Sequence, residues 1–250
     1  MNQELITLDS AGHKIPAYVA TPYGPGRHPG VVVAMHIFGI NRFVRGKCDE
    51  LAAAGFIAIA PYLFHRTGVT HEDLGGFDYV DATRWDRVPA LKATLNDDEI
   101  IEDMLAAASY LRGLETVGSR LGVTGFCIGG RIAYLMAVRT DAFSACADFY
   151  GGEVELSWGG GVPPLEQTNR LNCAFAGYFG NDDYNPTAAA VDRLEEELLK
   201  HKKPYEFHRY DGANHAFNDP FNPTGHRTAL EAKVGGSRNC KATGRGRGVH

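Results

Sequence analysis

The sequence predicts an α/β protein, a doubly wound and mostly parallel sheet flanked by helices. Three observations lead there: short β-branched apolar runs recur along the chain, stretches of helical period lie between them, and 250 residues at 44% hydrophobic content suffice to bury both faces of such a sheet in one core.

The run GVVVAM, residues 30–35, is almost continuously apolar, as a strand buried on both faces must be. FIAIAP, residues 56–61, repeats the pattern as its neighbour. Residues 41–54 between them mix polar and apolar side chains and are followed by Gly55, a residue suited to a helix C-terminus, so they predict a crossover helix. A second helix begins after Asn96, a good N-cap, with Asp97, Asp98 and Glu99 placed to complement its dipole. Ile100, Ile101, Met104, Leu105, Ala108 and Leu111 then fall on one helical stripe. RLGVTGF (120–126) predicts a strand and residues 130–139 a helix. FSACADFYG (143–151) and NCAFAGYFG (172–180) predict two more strands, and an amphipathic helix carrying Val191, Leu194, Leu198 and Leu199 follows. Residues 62–95 and SWGGGVPPLEQTN (157–169) interrupt the alternation and read as irregular loops over a site.

One domain is expected over residues 1–233, with the Gly-rich, basic VGGSRNCKATGRGRGVH (234–250) as a disordered tail. A formal net charge of −5 offers no global attraction to nucleic acid or to an anionic membrane. A small-molecule substrate is the expected partner, and the protein is expected as a monomer or homodimer. No stretch is apolar and long enough to span a bilayer, and MNQELITLDS lacks the layout of a signal peptide, so the expected compartment is the cytoplasm. Cys48, Cys127, Cys146, Cys173 and Cys240 are widely spaced without a CxxC pair, which points to reduced thiols and not to a disulfide framework or a cysteine zinc site. His201, His208 and His215 do not match HExxH, and neither a metal nor a cofactor is expected.

The chemistry gathers around GFCIGG, residues 125–130. Cys127 follows a predicted strand and precedes a predicted helix, in a G-x-C-x-G pattern that fits a nucleophile elbow. Such a turn needs small neighbours, and the helix N-terminus behind it favours a thiolate and a developing oxyanion. The hexapeptide fits an inert buried cysteine in a tight turn equally well. Partners in the order nucleophile, acid, base tip the balance: GNDDYNP places Asp182 and Asp183 after one predicted strand, and DGANHAF places His215 after another. Ligands and catalysts in open α/β sheets collect beyond the carboxyl ends of strands. Taken singly, the Asp pair also suits an Asx turn or helix cap, and His215 a solvated loop.

Together HPGVVVAMHIFGIN, AAAGFIAIAPYLF, GFCIGGRIA, GNDDYNP and KPYEFHRYDGANHAF resemble the dienelactone hydrolase family over most of the chain up to about Phe217. The resemblance implies an α/β-hydrolase fold and cleavage of an ester or lactone through a Cys-Asp-His triad and a thioester acyl-enzyme. It implies Cys127 as nucleophile, Asp183 as acid with Asp182 as the alternative, His215 as base, and the backbone amides of Ile37 and Ile128 as oxyanion hole. A general carboxylesterase or thioesterase on the same scaffold, or a non-catalytic redox or ligand-binding module, are the other readings.

Three departures from the family stand out. His36 occupies the place of a family glutamate that controls thiol ionisation, which makes it a candidate thiol modulator or, equally, a pocket-lining residue. Asn218 and Asp219 follow His215 where some lactone-cleaving relatives have a carboxylate-binding arginine. Arg84 and Arg87, beside Trp85, are candidates to replace that clamp, or are solvated or paired with Asp81 and Asp86. After Glu231 the chain cannot continue an amphipathic helix, so either a shortened final helix over residues 226–233 or a dimer contact is expected to cover that face.

Overall fold

The computed structural model describes residues 1–70 and 87–222. Eight strands form one sheet: β1 (Asn2–Ser10), β2 (His13–Thr21), β3 (His28–Ala34), β4 (Ile57–Pro61), β5 (Val117–Phe126), β6 (Ala145–Phe149), β7 (Ala174–Gly180) and β8 (Tyr205–Tyr210). Their order is β1-β2-β4-β3-β5-β6-β7-β8. The pairs β1–β2 and β2–β4 are antiparallel, and every pair from β4 to β8 is parallel.

Among the described residues, five helices accompany the sheet: α1 (Arg42–Ala53), α2 (Val88–Lys92), α3 (Asp97–Gly113), α4 (Ile128–Arg139) and α5 (Ala188–Lys200). Asn41 caps α1 by accepting from the Val44 amide, and Asn96 caps α3 by accepting from Asp98 and Glu99. Each cap satisfies an orphan donor of the first turn and is worth about 1 kcal/mol. Among the described residues, no helix is long and apolar enough to cross a membrane.

Alternate residues of the sheet serve its two faces. On β6, Asp148 points toward α4, where its carboxylate abuts Gly130. Ala147 points the other way, into a cleft of about 860 Å³ bordered by Leu51 of α1, with Gly122, Ala145, Ala174 and Ala176 also in its floor. Phe126, Phe149, Tyr178 and His208 run across four adjacent strands as a ladder of stacked rings, with centroid spacings of 4.8, 4.4 and 4.7 Å.

Several expectations need correction. The β1–β2 hairpin extends the sheet beyond the anticipated alternation; β1 is mostly exposed and lacks the continuous apolar signature of the inner strands, while β2 buries Ile15 and residues 17–20. α4 begins at Ile128, at the cysteine itself, and not at residue 130. Leu199 is 60% exposed, because the buried stripe of α5 is Val191, Leu194 and Leu198. SWGGGVPPLEQTN is not wholly irregular: Leu165–Arg170 is a 3-10 turn. The span 62–95 holds a 3-10 turn at His65–Thr67 and α2 among its described residues. Arg84, Trp85, Asp81 and Asp86, together with residues 226–233 and the tail at 234–250, lie outside the described residues.

Candidate active site

All parallel strands end on one edge of the sheet, and that edge collects the polar residues predicted from sequence. His36 and Ile37 follow β3, Cys127 follows β5, Asp183 follows β7 and His215 follows β8.

Cys127 is the joint between β5 and α4, with φ 59° and ψ −123°. A non-glycine residue in this region carries about 1–3 kcal/mol of strain, so the surroundings must enforce it. They do so through backbone contact. A Cβ on Gly125 would sit 2.0 Å from the Gly129 carbonyl oxygen, and one on Gly129 would sit 2.6 Å from that of Ala34. Only glycines allow strand, helix and neighbouring strand to approach so closely. The Cys127 amide donates to the Phe149 carbonyl at 3.0 Å, which fixes the joint to β6. Ile128 is then the first residue of α4, and its amide lacks an i−4 partner by position.

Two imidazoles bear on the Cys127 thiol, those of His215 and His36, and both favour its ionised form. His215 Nδ1 lies 3.1 and 3.0 Å from the two carboxylate oxygens of Asp183, so this nitrogen carries the donated proton and Nε2 is left for the sulfur. Asp183 is buried, and its Oδ1 also accepts from the Asn185 amide at 2.8 Å. Asp182 is exposed and contributes its backbone amide to Ala213, so the register between the two aspartates falls on Asp183. The rings of Tyr150 and Tyr184, 5.4 and 5.3 Å from that of His215, hold the imidazole in place.

Electrostatics separate the charges of the pair. Burial alone would push the Cys127 thiol up, but the positive field and hydrogen bond of His215, and then the hydrogen bond of His36, outweigh it and bring the thiol well below its usual range. Burial would pull His215 down, yet the neighbouring sulfur and the bond to Asp183 push it up. Both directions favour the proton on the imidazole and the negative charge on sulfur.

His36 is completely buried in a tight turn closed by Gly39 N–H donating to the His36 carbonyl at 2.8 Å. Its Nδ1 accepts from the Phe38 amide at 3.3 Å, so in the neutral ring the proton sits on Nε2. The candidate modulator thus carries a donor on Nε2, where a carboxylate would carry only acceptors. Ile37 occupies the same turn, two residues past Met35, whose carbonyl lies against Gly129 in the first turn of α4.

Other groups here escaped sequence reasoning. Arg131, one turn into α4, is fully buried and forms a two-pronged pair with Asp97 at 2.5 and 3.0 Å. It also donates to the Leu156 carbonyl at 2.6 Å and lies 3.8 Å over the Trp158 ring. Asp97 was expected as a dipole-complementing carboxylate at the start of α3. It is instead the buried counter-ion that ties α3 and the 157–169 segment to the elbow helix. A lone arginine in the otherwise apolar RIAYLMAV was the available signal, since a buried guanidinium requires a carboxylate. Tyr150, with φ 44°, is completely buried beside His215. Asp148 lies buried beneath the elbow, where desolvation pushes its carboxyl up to about 8 against the Gly151 amide, which holds it down. Arg87 is exposed at the start of α2.

This strand order is the architecture of the α/β-hydrolases, and the fold places the protein in that class. Within it the chain belongs to the dienelactone hydrolase family, whose model matches residues 15–235. A Synechocystis sp. protein named for carboxymethylenebutenolidase activity is 31% identical over 216 residues, covering 85% of each chain. A Bradyrhizobium protein named for 2-oxo-3-(5-oxofuran-2-ylidene)propanoate lactonase activity is 30% identical over 219 residues, 86% of this chain and 84% of that one. A Klebsiella pneumoniae crystal structure named as a dienelactone hydrolase superposes with a TM-score of 0.79 at 28% identity, over 93% of this chain and 95% of that one.

Proposed function

We propose that this hydrolase opens a small ester or lactone by covalent catalysis, with Cys127 as nucleophile, His215 as base and acid in turn, and Asp183 orienting the imidazole. The observation that carries the reading is Cys127 at a strained strand-to-helix joint, together with His215 Nδ1 at 3.1 and 3.0 Å from the buried Asp183 carboxylate. The names of the relatives support lactones and esters as the substrate class.

In the first step the Cys127 sulfur attacks the carbonyl carbon, and the amides of Ile37 and Ile128 donate to the oxygen as it gains charge. Losing one such donor costs roughly 3 kcal/mol of transition-state stabilisation in comparable sites. The C–O bond then breaks, and His215 gives its proton to the leaving alkoxide or enolate. In the second step His215 takes a proton from water, whose oxygen attacks the thioester. The C–S bond breaks, the acid leaves, and the sulfur returns to its pair with His215. His36 donates an N–H to the sulfur whenever it is a thiolate, before attack and after the C–S bond breaks, in keeping with its tautomer.

Free thiols at Cys48, Cys127, Cys146 and Cys173 suit the reducing cytoplasm. The test is mass spectrometry after mixing with an activated ester. Acyl label on Cys127 that turns over in the native protein and accumulates in His215→Ala supports the mechanism. Full ester turnover in Cys127→Ala would refute it.

A further inference from the structure

Tyr184 directly follows the buried Asp183, yet it is 70% exposed. The turn that carries it is fixed by its neighbours. Asp183 Oδ1 accepts from the Asn185 amide at 2.8 Å, and Gly152 lies so close to Asn185 that a Cβ on the glycine would sit 2.1 Å from the Asn185 side-chain oxygen. Pro186, the next residue, is buried. The backbone around Tyr184 is therefore clamped while its side chain stands open.

An exposed aromatic side chain on its own calls for no explanation. This one rests against the imidazole of His215, with ring centroids 5.3 Å apart and planes inclined at 47°. Tyr150 also contacts His215, at 5.4 Å, but it is completely buried and packs on Phe217 as well. Solvent and an arriving substrate thus meet the Tyr184 ring and not the Tyr150 ring.

The side of the reaction that this ring borders follows from the role of His215. Its Nδ1 is engaged by Asp183, so Nε2 is the nitrogen that gives a proton to the leaving oxygen and must come within about 3 Å of it. The group attached to that oxygen then lies beside the imidazole, within reach of the ring already packed there. Flat groups interact favourably with an aromatic ring at centroid distances of about 4.5–7 Å, and tyrosine orders only two side-chain torsions in doing so. A clamped backbone lowers the cost of the contact further.

We propose that Tyr184 is a specificity-determining residue, whose open ring walls a leaving-group subsite beside His215 and selects esters and lactones in which the departing oxygen is borne by a flat conjugated group, an aryl or enol oxygen, over those with a saturated alkyl oxygen. This deepens the reading of Cys127 as nucleophile and rests on it.

Phenyl acetate and hexafluoroisopropyl acetate test the subsite. Their leaving groups are of similar acidity, one is flat and the other is not, and both esters deliver the same acetyl group. The ratio of their kcat/KM values, referred to the ratio of their rates with a free thiol, removes intrinsic reactivity. Any loss from a loosened His215 falls on both esters alike and leaves this ratio unmoved. Tyr184→Leu, which removes the ring, is expected to lower the ratio about three- to tenfold, and Tyr184→Phe to keep it near the native value. An unchanged or raised ratio in Tyr184→Leu overturns the proposal, including the case in which both esters slow equally and Tyr184 only steadies the imidazole. A ratio that falls as far in Tyr184→Phe as in Tyr184→Leu overturns it too, since the hydroxyl and not the ring would then discriminate. Failure of the hydrolase mechanism reads out separately, as ester turnover that survives Cys127→Ala.

Discussion

Arg131→Met removes the cation from the buried pair beneath the elbow while keeping most of the side-chain volume. The native arginine makes two bonds to Asp97 and one to the Leu156 carbonyl, and the side chains of the pair are 0% and 3% exposed. Deleting one member of such a pair leaves an uncompensated charge in a dry site and costs about 3–5 kcal/mol. Asp97 keeps one donor, the Trp158 amide at 3.1 Å, which places the expected loss near the lower end, about 3 kcal/mol. For a domain of this size each kcal/mol lowers Tm by about 2–4 °C, so the variant should melt about 6–12 °C below the native protein. Urea unfolding read by circular dichroism gives the same quantity in free energy. Asp97→Asn combined with Arg131→Met removes the stranded charge and should recover at least half of the loss. A single variant within about 2 °C of native, or a double variant whose loss equals the sum of the two singles, refutes the coupling.

Other outcomes follow from the site. Asp183→Asn should lower kcat by at least about a hundredfold while Asp182→Asn stays within about twofold, because only Asp183 holds the His215 imidazole; equal effects would reverse the assignment. The pH profile of kcat/KM should be flat across neutrality, rising with the lowered titration of Cys127 and falling with the raised titration of His215. His36→Leu removes a donor from the thiolate, raises the thiol titration and moves the acid limb alone to higher pH. Movement of the alkaline limb instead would assign His36 a different role. Asp148→Asn should stabilise the protein increasingly between pH 5 and pH 8. The native carboxyl, raised to about 8, stays protonated while the unfolded one ionises near 4, so native stability falls as pH rises through that window and the asparagine variant is spared. A Tm difference that is constant with pH would exclude this titration.

Much of this arrangement could be read from the sequence because buried parallel strands and amphipathic helices leave strong periodic signals. GVVVAM and FIAIAP became β3 and β4, Asn96 caps α3, and Asp183 and His215, placed after predicted strands, pair with each other. What escaped depends on pairs distant in sequence. Nothing local distinguishes Asp97, sealed against Arg131 34 residues away, from the exposed Asp98 beside it. The choice between Asp182 and Asp183 is a one-residue register that only the turn after β7 decides. Tyr150 in FSACADFYG looked like the end of a strand, and only its positive φ directs the ring under His215.

The interlock of Gly125, Gly129 and Ala34 has an implication for how this scaffold changes its chemistry. Every contact that enforces the joint runs through main-chain atoms, including the bond from the Cys127 amide to Phe149, and none passes through sulfur. The frame therefore does not register which heteroatom sits at its tip. A serine at residue 127 would inherit the same socket and the same partners without refolding, whereas an alanine at residue 125 or 129 would destroy the socket and leave the thiol intact. In this molecule the reactive atom is the replaceable part, and the two glycines beside it are the tool holder.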